Sequence, residues 1–96
     1  MELGIKIKAI RICEELNQIE FSQRIDLAIG TLQGYERGRR HPSGDSLLKI
    51  TTHPQFEKYT LWLMTGKTAP ESNQVSPDFS ILLACGLIEE EAEKRA

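Results

Sequence analysis

Arg37, Arg39 and Arg40 stand almost side by side and run straight into His41-Pro42. Clustered guanidinium groups are not reactive; they hold anionic oxygens, phosphate above all, by charge and by paired N–H donors. Upstream lie Asn17, Gln18 and Gln33, whose carboxamides each offer both a donor and an acceptor. Both sets are suited to recognition. The chain has no nucleophile paired with a base, no carboxylate dyad and no glycine loop shaped to cradle a phosphate, so an enzyme is not expected. His41 and His53 have no further ligands near them, and Cys13 and Cys85 lie far apart without CxxC or HxxxH spacing. No metal, cofactor or small-molecule ligand is therefore expected, and the cysteines are read as reduced, small hydrophobes.

The elements that must position these side chains follow from apolar spacing. From Asn17 to Pro42 the chain reads as two short amphipathic helices meeting at a tight corner. The first has Ile19, Phe21 and Ile25 as its apolar positions, with small Ser22 on the inner face so that a partner helix can cross closely. The second uses Leu27, Leu32 and Tyr35, with Ala28 and Gly30 near the corner. Asp26 occupies the corner, where a left-handed backbone is expected. This is the layout of a helix-turn-helix, which presents its second helix to the DNA major groove.

Around this unit the spacing predicts a helix over Leu3 to Leu16, then Asn17 as N-cap of a helix over Gln18 to Ile25. A third helix is predicted over Ala28 to Arg37, stopped by Gly38. A turn at His41 to Asp45 follows, with Ser43 or Asp45 capping a fourth helix through Leu47, Leu48 and Ile50. A fifth, over Gln55 to Met64, carries Phe56, Tyr59, Leu61, Trp62 and Leu63, with Tyr59 and Trp62 read as core, and closes at Gly66. Thr68 to Pro77 reads as a linker. Ser76 and Pro77 then open a sixth helix whose stripe is Phe79, Leu82, Leu83, Leu87 and Ile88, weakened by about 1 kcal/mol at Gly86. The expected fold is all-α: a compact five-helix bundle with a helix-turn-helix, plus a C-terminal amphipathic helix. The expected organisation is a domain over 1–66, a linker over 67–77 and a helical tail over 78–96 as a candidate dimerisation element.

The formal charge of −2 is unevenly spread. Residues 1–66 hold nine Lys/Arg against eight Asp/Glu, and residues 67–96 hold three against six, so the acidic excess lies in the tail. Phosphate attraction is screened within about 8–10 Å at cellular salt, and the local arginine cluster therefore outweighs the total. The longest apolar run, Ile81 to Cys85, is far short of a membrane span. Met1-Glu2-Leu3 is not a basic leader, and a cytoplasmic, nucleoid-associated protein is expected.

Gln18, Ser22, Leu32, Glu36, Gly38 and Pro42 fall at the mutual spacings of the phage repressor and Cro type of helix-turn-helix domain. The segment from Asn17 to Pro42 resembles that lambda repressor-like family without gaps, and Leu61 to Gly66 is similar to the family's closing helix. The resemblance implies a sequence-specific DNA-binding regulator, a repressor by kinship, acting as a homodimer on a two-fold operator of double-stranded DNA. It implies an ion pair between Arg11 and Glu36 locking the first helix to the third, whose disruption costs ~3–5 kcal/mol. It places Asn17, Gln18, Arg39 and Arg40 on phosphates and Ile29, Gly30, Thr31, Gln33, Gly34 and Arg37 on the base-reading face. Phe79, Leu82, Leu83 and Leu87 are the dimer candidates, with the fifth helix as the alternative dimer surface. The face departs from the family, because Ile and two glycines stand where relatives commonly carry hydrogen-bonding side chains. On one reading Gly30 and Gly34 permit close backbone approach, Ile29 touches a thymine methyl and Gln33 reads adenine; on the other this face reads little sequence and specificity comes mainly from DNA shape. A competing reading is an antitoxin-like protein-interaction module with weak or no DNA binding.

Overall fold

The computed structural model describes residues 3–88. Six α-helices follow in order: α1 (Leu3–Cys13), α2 (Gln18–Arg24), α3 (Ile29–Glu36), α4 (Gly44–Thr51), α5 (Thr60–Thr65) and α6 (Phe79–Ala84). Among the described residues there is no named strand, only an isolated bridge between Ala69 and Gln74. The all-α expectation holds. No helix of the described residues is long and apolar enough to cross a membrane.

The first three helices end alike. At Glu15, Asp26 and Gly38 the backbone turns left-handed, with φ of 58°, 53° and 75°. At each, the following amide reaches back across the helix end: Leu16 N–H to Arg11 O, Leu27 N–H to Ser22 O, and Arg39 N–H to Gly34 O, at 3.1, 2.8 and 2.9 Å. This is the Schellman closure, which satisfies carbonyls that a helix end leaves free. It corrects the first helix, which stops at Cys13 rather than Leu16. Glu15 reverses the chain, and Leu16 drops into the core. α2 then begins on a capping box: Asn17 Oδ1 accepts from Glu20 N–H at 2.8 Å, and Glu20 Oε1 accepts from Asn17 N–H at 3.0 Å.

Phe21, Phe56, Ile7, Ile10, Leu32, Ile50 and Leu63 are fully buried and form the centre of the bundle. The Phe21 and Phe56 rings lie tilted with centroids 4.9 Å apart, a favoured arrangement for aromatic quadrupoles. α1 packs on α3, and α2 crosses α3. Gly4 is required where α1 meets α3, because a Cβ there would stand 1.8 Å from the Tyr35 carbonyl oxygen. Lys6 is nearly buried and donates to Trp62 O at 3.1 Å and Leu63 O at 3.4 Å, binding carbonyls near the end of α5. Burial holds its ammonium pKa below the usual value.

The expected fifth helix is interrupted. Glu57–Tyr59 is a 3₁₀ turn, and only Thr60–Thr65 is α-helical. The segment beyond Gly66 supplies competing partners. Gln74 Oε1 accepts from Leu61 N–H at 2.9 Å, Gln74 Nε2 donates to Glu57 O at 3.2 Å, and Val75 N–H takes Lys58 O at 2.8 Å. Residues 67–77, linker-like in composition, thus fold back on α5, with Asn73 left-handed at φ 57° and Pro77 fully buried.

Because Pro77 enters the core, the sixth helix opens two residues later than expected, with Asp78 at the N-cap position. It closes at Gly86, whose φ of 74° makes it the helix terminator rather than a weak interior position. Leu87 N–H returns to Leu82 O at 2.9 Å, another Schellman end. α6 packs on α1, and Ile81, Leu82, Cys85 and Leu87 lie against the core. The rest of the expected tail, 89–96, falls outside the described residues.

Candidate nucleic-acid interface

A chain of polar contacts links the inside of the bundle to the outer face of α3. Arg11 Nε and Nη2 donate to Glu36 Oε2 and Oε1 at 2.8 and 2.9 Å, a two-pronged ion pair whose side chains are 12% and 3% exposed. Arg11 Nη1 also donates to Leu16 O at 3.0 Å, so the same guanidinium fastens the end of α1. Gln18 Nε2 donates to Glu36 Oε1 at 3.1 Å, and Gln33 Nε2 donates to Gln18 Oε1 at 3.2 Å. Gln33 is therefore held by one N–H. Its second N–H and its Oε1 have no partner among the described residues, and these are the groups needed to grip an adenine edge.

Two shallow grooves flank Gln33. One, of about 390 Å³, is lined by Asn17, Gln18, Ile19, Ile29 and Gln33. The other, of about 430 Å³, is lined by Gly30, Gln33, Gly34, Arg37, Arg39 and Arg40. The outer side of α3 and the arginine cluster thus form one continuous surface. Ile29 is 37% exposed at its leading end, while Leu32 and Tyr35 point inward. The Tyr35 hydroxyl shares a hydrogen bond of 2.8 Å with Ser46 Oγ and ties α3 to α4. Burial alone would raise the Tyr35 pKa, but hydrogen bonds with Ser46 and Ser43 and the Arg40 charge outweigh it and lower it. Ser43, one of the two expected caps, is the N-cap of α4 and accepts from Ser46 N–H at 3.1 Å.

The expected ion pair forms between the residues named from the sequence, and all six base-reading candidates lie on α3 or at its C-cap. Asn17 spends its side-chain oxygen on the capping box. Gln18, expected on phosphate, turns inward and bridges Glu36 to Gln33. Arg37 and Arg39 are exposed. Gly30 is open, with nothing within 4 Å of where its Cβ would be, whereas Gly34 is covered by the Arg40 side chain. Sequence reasoning missed Glu20 as a cap partner, although the Asn17-x-x-Glu20 spacing is the capping-box signature. It also missed the Gln18–Gln33 link, for which spacing alone gives no signal. Among the dimer candidates, Leu82 and Leu87 pack on their own domain, while Phe79 is 44% exposed.

Residues 7–54, from α1 through the end of α4, match the family described as helix-turn-helix. With the corner at Asp26 and the exposed face of α3, the match shows that the chain belongs to the helix-turn-helix family of phage-repressor type. Over 72 residues it is 42% identical to Repressor protein C of Escherichia phage P2, a match covering 75% of this chain and 73% of that protein.

Proposed function

We propose that the chain is a sequence-specific transcriptional repressor that lays α3 in the major groove of double-stranded DNA and occupies a two-fold operator as a homodimer. The observation that carries this reading is Gln33. Its carboxamide is fixed through Gln18 to the buried Arg11–Glu36 pair, with a donor and an acceptor left unpaired among the described residues beside two open grooves. A side chain oriented before contact loses less entropy on binding and discriminates more sharply. Ile29 meets a thymine methyl beside it, Thr31 and Arg37 border the same face, and bare Gly30 lets the backbone come close. Arg39 and the amide end of Asn17 flank the helix as phosphate anchors, as does the spare N–H of Gln18.

One such domain spans a single half-site, and pairing two at about one DNA turn supplies useful affinity and operator symmetry. Phe79 and Leu83 on the outer side of α6 are the proposed pairing surface, since Leu82 and Leu87 serve the domain itself. Acting on DNA, the protein works in the cytoplasm at the nucleoid, with no cofactor or small ligand.

Fluorescence anisotropy on random duplex DNA, followed by selection from a random duplex pool, tests the reading. Binding falls steeply with salt, at about 0.9 log units per log unit of salt for each phosphate engaged. Gln33→Ala relaxes preference at one or two base positions. No binding at low salt would favour the interaction-module reading, and an unchanged selection profile would remove the Gln33 assignment.

A further inference from the structure

Gly34 leaves a gap on the reading face, and Arg40 fills it. A Cβ on Gly34 would lie 2.9 Å from Arg40 Cδ and 3.2 Å from its Cγ, so the arginine stem runs directly across the glycine. The backbone is fastened there too: Arg39 N–H and Arg40 N–H both reach Gly34 O, at 2.9 and 3.3 Å. From that anchor the side chain runs back along α3, and Arg40 Nη1 reaches Thr31 Oγ1 at 3.4 Å, nearly one helical turn before Gly34. The guanidinium therefore lies over the outer face of α3, in the groove shared with Gly30, Gln33 and Arg37. A phosphate anchor would extend sideways from the loop, as the sequence position of Arg40 suggests. This one is laid along the helix, toward the end that meets base edges in a major groove.

The geometry points to Arg40 as a base-reading residue, which supplies from the loop the side chain that α3 lacks at Gly34. Its target is the O6/N7 edge of a guanine, the acceptor pair that an arginine fork matches. Gly34 is then a positioning residue, its missing Cβ being the seat of the Arg40 stem. The inference rests on the reading of α3 as the groove-binding helix.

The test compares the full chain with its Arg40→Ala, Arg40→Lys and Gly34→Ala variants by random-pool selection. Each is then titrated on the preferred duplex and on the same duplex with one G·C pair changed, over a range of salt. Wild type discriminates against the changed pair by roughly 5- to 150-fold. Arg40→Ala loses that discrimination at one position, and Arg40→Lys, a point charge without the fork, keeps only part of it. Gly34→Ala is the decisive variant. It removes no charge, its methyl projects no further than the arginine stem it displaces, and alanine strengthens the helix. It should lose preference at the same position as Arg40→Ala, with the salt slope unchanged and with unfolding by Trp62 fluorescence showing an intact fold. If Arg40→Ala instead weakens all duplexes by one factor and lowers the slope by about 0.9, while Gly34→Ala keeps the wild-type profile, Arg40 is a phosphate contact and the inference is overturned. Failure of wild type to bind any duplex would overturn the groove-binding reading beneath it, a result distinguishable from the first.

Discussion

Replacing Arg11 with Met should cost much more stability than replacing its partner, because burial of the pair is lopsided. Glu36 is 3% exposed and accepts three hydrogen bonds, at 2.8 and 2.9 Å from Arg11 and 3.1 Å from Gln18. Arg11→Met removes two of them along with the nearby positive charge, stranding a carboxylate that water cannot reach. Breaking a buried pair in this way costs ~3–5 kcal/mol, against a total for a domain of this kind of about 5–15 kcal/mol. In the converse variant, Glu36→Leu, the guanidinium is 12% exposed and keeps Leu16 O at 3.0 Å. Its expected cost is smaller, about 2–3 kcal/mol, because a guanidinium partly open to water and still bonded to a carbonyl loses less than a sealed carboxylate. With Arg11→Met and Glu36→Leu combined, no charge is left buried, and the double variant should return to within about 1 kcal/mol of wild type.

Urea unfolding followed by Trp62 fluorescence measures all four proteins. Trp62 is the chain's one tryptophan and is buried, so unfolding transfers it to water. The slope with urea should be common to the set, so that midpoints report stability directly. The reasoning is refuted if Arg11→Met and Glu36→Leu cost the same, or if the double variant costs the sum of the singles. Either result would mean that the carboxylate is not isolated from solvent as its geometry says.

Two further perturbations separate local chemistry from general rules. Gly4→Ala and Gly30→Ala are the same substitution in two helices, and each gains about 1 kcal/mol of helix preference. At Gly30 nothing lies within 4 Å of the new Cβ, so the gain should appear as a raised melting temperature. At Gly4 the Cβ would stand 1.8 Å from the Tyr35 carbonyl oxygen, and overpacking of typically 1–3 kcal/mol should make the variant less stable than wild type. Glu14 contributes to the acid limb of the stability profile. Burial alone would raise its pKa, but hydrogen bonds from Tyr59, Gln55 and Lys58 outweigh it and hold the carboxyl below its ordinary value. A depressed folded pKa gives stability that is present above the unfolded value, about 4.3, and lost as pH falls through the folded one. Chemical unfolding at about pH 5 and about pH 3 should show a larger loss for wild type than for Glu14→Gln, and equal losses would exclude Glu14 as the source.

Much of this was legible in the sequence because the signals were local. Leu3, Ile7 and Ile10 announce a helix by spacing alone, Asn17 its successor's start, and Asp26 the corner. Arg11 and Glu36 came from resemblance, since a contact across 25 positions leaves no trace in periodicity. Two of the elements that differ turn on long-range contacts, and the helix ends at Glu15 and Gly86 on local left-handed closures. Gln74 takes the amide of Leu61 and the carbonyl of Glu57, so a stretch apolar enough for one helix becomes a 3₁₀ turn and a shorter helix. Proline suits a helix opening, which makes Pro77 look like the first helical residue, but its ring is buried and the helix starts at Phe79. Gly86 looks like a weak point inside a helix but is the left-handed residue that ends it.

The poor helix-forming sequence of α3 has a physical consequence for recognition. Gly30 and Gly34 together cost about 2 kcal/mol of intrinsic preference, and no side chain caps the start of α3. Eight residues with that composition do not hold a helix alone. What holds α3 lies entirely on its inner side: Leu32 in the core, Tyr35 on Ser46, Glu36 on Arg11, and the Gly38 closure. Apart from the Gln33–Gln18 hydrogen bond and the Arg40 stem on Gly34, the outer side is thereby released from structural duty. It can carry an open backbone at Gly30, a tethered carboxamide at Gln33 and a loop arginine laid over Gly34, and substitutions there can alter what is bound without first unfolding the helix. On this account the stability of α3 and its specificity reside in different residues. Arg11→Met should therefore weaken both folding and binding, whereas Gln33→Ala should change the preferred sequence at nearly constant stability.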